Sequence, residues 1–276
     1  MTEDQESAAN VEVGAEAMSE DDAGVMADYG EVAMPLAEEI EIQTVMPART
    51  TFLDYLKSPT VELVIGQGEE ATLLTAHQAL LVQSPFFENA CAQFSDNAVQ
   101  RRIDLPNENL DAIGCFLEYV YTGEYYPQRI DGQRSLVGDE TEPKLDLDGK
   151  ELLKHARVYT LADKLGMADL KTLAHSKIHC VNSSAKGEIA YARYVYATTP
   201  KEDVVIRKPV ASFWARRSHN LRKEAEDEFR QMCLEFPQFG FDVLTLVLDE
   251  KSKREGEKQN GTPTTSRKRQ RHTQGW

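Results

Sequence analysis

Residues 76–87 read AHQALLVQSPFF, and two readings of them compete. His77 and Ser84 are either a base and a nucleophile, or parts of a joint between two helices. His77 to Val82 supplies about one and a half turns of apolar helix. Ser84 then precedes Pro85. Serine caps helices by accepting from a backbone N–H one turn on, and proline at the first helical position lacks only an N–H that would be unpaired there. Ser84 therefore opens a new helix over SPFFENACAQF, residues 84–94. No G-x-S-x-G elbow surrounds it and no acid at a known spacing supports His77, so the stretch reads as a joint.

Upstream, TFLDYLKSPTVELVIG predicts a short helical turn, Phe52 to Lys57, ending before Pro59. A strand follows over 61–66, with Val61, Leu63 and Ile65 on one face. GQGEE (66–70) supplies turn residues, and 71–76 returns as the second strand of a hairpin. Downstream, VQRRIDLP predicts a third strand over 99–105, with Val99, Ile103 and Leu105 inward. NLDAIGCFLEYVYTGEY carries Leu110, Ile113, Phe116, Leu117, Val120 and Tyr121 at helical spacing and stops at Gly123. Residues 128–149 read as a loop rich in Gly, Asp and Pro. KELLKHARVYTLADKLG is helical to Gly166, MADLKTLAHSKIHCV is a second helix, and Ser184 caps a third. Two or three more helices reach about Glu250.

The ends differ from this body. Residues 1–48 hold thirteen Asp/Glu and no Lys or Arg, whereas 251–276 hold eight Lys/Arg against two Glu. Neither can bury enough apolar area to offset its ordering entropy, so both are expected to be disordered, with IEIQTV (40–45) as a possible edge strand. The division is then 1–48 acidic terminus, 49–127 core, 128–149 loop, 150–250 helical part and 251–276 basic tail. The chain as a whole carries −15, which repels nucleic acid from all but the tail. At 8% aromatics it offers no stacking platform for single strands. Cys91, Cys115, Cys180 and Cys233 lie far apart without CxxC spacing, as expected for a reducing compartment. The N-terminus lacks the charge and apolar runs of a secretory signal, and no apolar run is long enough for a membrane span. Nucleus or cytoplasm is the expected location.

The ordered set His77, Ser84, Phe87, then Tyr121-Thr122-Gly123, then Tyr159, Ala162, Asp163 and Lys164 resembles the BTB/POZ domain over roughly residues 50–180. The stretch RYVYATTP…FWA…FPQFGFDVL looks like the C-terminal helical extension of fungal members. The resemblance implies an α/β (α+β) fold, a small sheet flanked by helical hairpins, followed by an all-helical extension. It implies a non-catalytic protein–protein interaction module, often a homodimer and in some members a substrate adaptor for a cullin-type ubiquitin ligase. It implies no cofactor, metal, small-molecule substrate or membrane. Two positions depart from the pattern. Members that act as transcription factors carry an acid and a base where this chain has Thr60 and Gln78. Kelch repeats, zinc-finger spacing and a MATH-like domain are all lacking.

Within the resemblance, Phe94, Ser95 and Asp96 stand where cullin-binding members carry an apolar-x-acidic motif. The plainer reading tucks Phe94 into its own core. Two basic clusters, Lys251, Lys253 and Arg254, then Arg267, Lys268, Arg269 and Arg271, have the form of a bipartite nuclear import signal; the plainer reading is a solubilising tail. A nuclear scaffold or transcription cofactor is the alternative function. His175 and His179, with Cys180, are i, i+4 on a helix, but with no HExxH glutamate they read as ordinary surface histidines. Tyr191, Tyr194 and Tyr196 read as packing residues.

Overall fold

The computed structural model describes residues 51–95, 100–130, 132–137 and 145–260. The expectations for 1–48, for 40–45 as an edge strand, for Asp96 and Val99, and for Arg267–Arg271 lie outside these residues. The fold is mixed α+β, a three-stranded sheet with ten helices among the described residues.

Strand β1 (Thr60–Ile65) is central. It alternates Val61, Leu63 and Ile65 into the core, as its period of two requires. It pairs antiparallel with β2 (Thr72–His77), Leu63 opposite Leu74, and parallel with β3 (Arg102–Leu105), Leu63 opposite Ile103. The expected hairpin is present. The third strand is shorter than 99–105, beginning at Arg102. The β2 strand runs one residue further than expected, so His77 ends a strand and caps α2 (Gln78–Leu81) instead of lying within a helix. Tyr121 holds that end in place. His77 N–H donates to its hydroxyl at 3.0 Å, and His77 Nδ1 lies 2.7 Å from the same oxygen.

The joint at 76–87 forms as its residue types dictate. Helix α3 (Pro85–Cys91) starts at Ser84, whose Oγ accepts from Phe87 N–H at 3.5 Å. Ser84 is also fully buried, and its hydroxyl donates to the carbonyl of Leu165 at 2.8 Å. That carbonyl ends α5 (Lys150–Leu165), where Gly166 adopts φ +72. A β-carbon on Gly166 would lie 3.1 Å from Pro85, so the αL glycine also admits the proline ring. Behind the joint, Phe87 stacks on Phe116 of α4 (Leu110–Thr122) at 5.3 Å between centroids. Ser84→Ala removes both a cap and the partner of a buried carbonyl. Its expected cost is about 2 kcal/mol, more than a cap alone, read as a lowered urea midpoint with unchanged slope.

The helices continue with α6 (Ala168–Ile178) and α7 (Ala185–Thr198), the latter capped by Ser184 Oγ accepting from Gly187 N–H at 3.1 Å. The loop's end docks here. Asp146 accepts from the N–H groups of Lys150, Glu151 and Leu152 at the start of α5, while Ser183 Oγ donates to its carbonyl at 2.8 Å. Gly149 and Gly187 meet backbone to backbone; a β-carbon on Gly187 would lie 2.8 Å from Gly149 N. Only glycine permits that approach.

The extension comprises α8 (Val204–Glu224), α9 (Glu226–Glu235) and α10 (Pro237–Asn260). Arg207 of α8 is buried and completes the end of α7, donating from Nε to Thr199 Oγ1 at 3.1 Å and from its terminal nitrogen to the carbonyls of Tyr196 and Thr199. Pro209 lies inside α8 and leaves the Val205 carbonyl without its helical donor; His175 Nε2 lies 3.2 Å from that oxygen. One buried apolar cluster runs from β1 through α8 to Val243. The α10 helix carries ten residues past the boundary expected at 250, so 251–260 are helical and not part of a disordered tail. Pairs at i, i+4, Glu250 with Arg254 and Lys251 with Glu255, add a few tenths of a kcal/mol each there. No described helix is long and apolar enough to cross a membrane.

Candidate functional site

Three surfaces have the composition to bind something. The first precedes the sheet. Helix α1 (Phe52–Leu56) is held by a capping box, with Thr51 Oγ1 accepting from Asp54 N–H and the Asp54 carboxylate accepting from Thr51 N–H at 2.8 Å. The cap pairs donors at the start of the helix, yet none of its residues is buried. Phe52, Leu53 and Leu56 stand 53%, 57% and 40% exposed. An ordered helix with three adjacent exposed apolar side chains is an unusual element for a free surface.

The second surface follows α3. Phe94 ends the last turn, its N–H donating to Cys91 carbonyl at 3.1 Å. Its ring is half-buried against the core and lies 5.8 Å under the Arg101 guanidinium. Ser95 is exposed. The structure thus places Phe94 between the two expectations, with part of its ring in the core and part presented outward. Nearby, Arg101 donates to Gln78 Oε1 at 2.5 Å, so Gln78 has a partner where the charged pair of the resembled family is lacking.

The third lies between α6, α7 and α8, a cavity of about 580 Å³ whose walls include Arg134, His179, Glu188, Tyr191, Phe213 and Arg217. The tertiary structure alone assembles it, because its lining comes from five separate stretches of chain. Burial pushes the Glu188 carboxyl up to about 7; Arg217 pulls the other way, and the Asp146 charge adds a smaller push upward. Burial also lowers His179, helped by His175 and Arg134. The raised carboxyl fixes a sign. Below its ordinary value of 4.5 folded and unfolded chains both hold the proton; between 4.5 and about 7 only the folded chain does, so the stability it contributes is lost as pH rises through 7. Glu188→Gln is therefore expected to melt higher than wild type at pH 8 and at the same temperature at pH 4. An equal difference at both pH values would contradict the burial argument.

The remaining candidates are structural in their contacts. His175 and His179 approach at 3.3 Å between Nε2 atoms, their rings edge to face, while Cys180 Sγ donates to Ser176 carbonyl. No group of three ligating side chains occurs among the described residues. Tyr191 and Tyr196 are buried and Tyr194 is half-buried; the Tyr196 hydroxyl donates to Asp242 at 2.7 Å and Tyr194 shares a hydrogen bond with Thr160. Lys251, Lys253 and Arg254 are exposed on α10. The motif tyrosine Tyr159 donates to both oxygens of Asp203 at 3.0 Å, and Lys171 bridges Asp203 and Asp163, so these residues clamp α5 to α6 and to the start of α8.

Sequence reasoning missed Lys177, Glu188 and Arg207. Each is a charged residue at a helical position that periodicity reads as surface or neutral. Only for Glu188 was there a local hint, four residues after the capping Ser184 on a face shared with Tyr191. No protein-family model matches the chain, and comparison with curated proteins finds no relative.

Proposed function

We propose that the chain is a non-catalytic protein–protein interaction module of the BTB/POZ type that self-associates through α1. The observation that carries this reading is the capped helix on which Phe52, Leu53 and Leu56 stand exposed among the described residues. The ordered motif set at 77–164 supports it, since Tyr121 and Tyr159 make specific contacts of the kind a shared fold would preserve. A second copy is the occupant that supplies matching apolar surface without a further gene product, because a two-fold contact uses the same patch twice. Sedimentation of the full chain tests it. Wild type is expected to be a dimer at micromolar concentration, and the triple variant Phe52→Glu, Leu53→Glu, Leu56→Glu a monomer of unchanged far-UV dichroism. A monomeric wild type rejects the self-association.

The finer reading is a cullin-ligase adaptor docking through Phe94, Ser95 and Asp96. The partly outward ring of Phe94 supports it. Capture of a cullin by wild type, lost in Phe94→Ala at a retained melting temperature, is the expected result. No capture by wild type leaves the dimerising scaffold. The nuclear alternative is tested separately by imaging a fluorescent fusion of residues 250–276 against its Arg267, Lys268, Arg269 and Arg271 to Ala variant.

A further inference from the structure

The cavity between α6, α7 and α8 holds polar groups that the protein leaves without partners. Tyr191 is only 5% exposed, yet its hydroxyl has no hydrogen-bond partner among the described residues. The Glu188 carboxyl likewise has neither hydrogen bond nor ion pair there. Neither oxygen is sealed inside the protein, since the buried side-chain atoms without a partner among the described residues are His155 Nε2 and Trp214 Nε1; both oxygens are open to whatever fills the cavity. Arg134 and Arg217 line the same space, and neither makes an ion pair among the described residues. The Arg217 guanidinium carbon lies 4.7 Å from the centroid of the Phe213 ring, within cation–π range. The volume of about 580 Å³ is that of a small-ligand or side-chain pocket.

The sign of charge chooses among ligands. Two guanidiniums face one carboxyl whose burial favours its neutral form, and burial likewise favours the neutral form of His179. A cation would enter past both arginines and lose at each. An anion would gain at each, and a guanidinium fork suits a carboxylate in particular.

We propose that this cavity binds an apolar group bearing a carboxylate, the carboxylate between Arg134 and Arg217 and the apolar part against Phe213 and Val210. This rests on the reading of the chain as a partner-binding module, and in that setting the ligand is a peptide segment with an acidic residue beside an apolar one. Glu188 and Tyr191 meet the polar atoms at the ligand's inner end. A free medium-chain carboxylic acid has the same chemistry.

Amide chemical shifts of the full chain, titrated with three probes, decide it. Acetyl-Leu-Glu-amide is expected to shift the amides of Glu188, Tyr191 and Phe213 saturably. Acetyl-Leu-Gln-amide is expected to bind about tenfold more weakly, the size of one lost charge-assisted contact. The double variant Arg134→Gln, Arg217→Gln, both side chains exposed, is expected to keep its melting temperature and to lose binding by at least the same factor. Octanoate competing at the same amides with higher affinity than the dipeptide would assign the site to free carboxylic acids. No saturable shift at these amides, equal affinity for the Gln isostere, or full binding by the double variant overturns the proposal. Self-association through α1 is untouched by these changes, so failure here and failure of the interaction-module reading are separately visible.

Discussion

Lys177→Met is expected to destabilise the protein by about 3–5 kcal/mol, the range for removing one partner of a buried ion pair. Lys177 lies on α6 with no solvent exposure. Its ammonium has three protons and three acceptors: the Glu124 carboxylate at 2.6 Å, the Pro127 carbonyl at 2.8 Å and the Tyr125 carbonyl. It also lies 3.6 Å from the Tyr125 ring centroid. Burial pulls the ammonium's pKa below its ordinary value, and Glu124 works against that shift. The chain that leaves α4 is thereby pinned to α6. Tyr125 itself is fully buried, with its hydroxyl 2.9 Å from His155 Nδ1. Methionine fills a similar volume but leaves the Tyr125 and Pro127 carbonyls without this donor and the Glu124 carboxylate without its cation, with only Tyr125 N–H still donating to it at 2.9 Å, and each unmet buried acceptor costs about 1–3 kcal/mol. Urea unfolding monitored by tryptophan fluorescence measures the loss. A change below about 1 kcal/mol would mean that water replaces the ammonium readily and that Lys177 pins nothing.

Trp214→Ala is expected to cost about 3–5 kcal/mol, and Trp214→Phe much less. Trp214 is the largest fully buried side chain. Its ring lies 5.2 Å from Phe229 of α9 and 6.2 Å from Phe239 of α10, and Phe239 in turn meets Tyr196 of α7 at 5.4 Å. One indole therefore joins the helices of the extension, and alanine would leave a cavity lined by rings that cannot close over it. The indole N–H has no hydrogen-bond partner among the described residues. Phenylalanine keeps most of the packing and removes that unmet donor, so the two effects partly offset. Because one apolar cluster spans sheet and extension, both variants should unfold in a single transition. A biphasic melt for Trp214→Ala, with the sheet region surviving, would show that the extension is a separate cooperative unit.

The experiments at α1, Phe94 and the cavity address binding, whereas Lys177 and Trp214 address the frame that presents those surfaces. The frame's local parts were legible in the sequence. Ser84 before Pro85, Gly123 and Gly166 after apolar periodicity, and Ser184 before α7 each cap or stop a helix where expected, because a cap is decided within three or four residues by sterics and one hydrogen bond. The alternation of Val61, Leu63 and Ile65 fixed the inward face of β1 for the same local reason. Of the binding surfaces, the sequence marked Phe94 and the exposed residues of α1 only as residue types, without saying which faced outward.

The tertiary structure alone decided the rest. That β3 pairs parallel to β1, that Ser84 reaches Leu165, that Gly149 admits Gly187, and that Arg207 completes α7 all join residues that no short-range pattern links. Lys177 and Glu188 show why most clearly. A charged side chain at a helical position reads as solvated, since burying a charge is costly. Whether it is buried depends on carbonyls, carboxylates and arginines that other segments bring to it, and those meet only when the chain is folded.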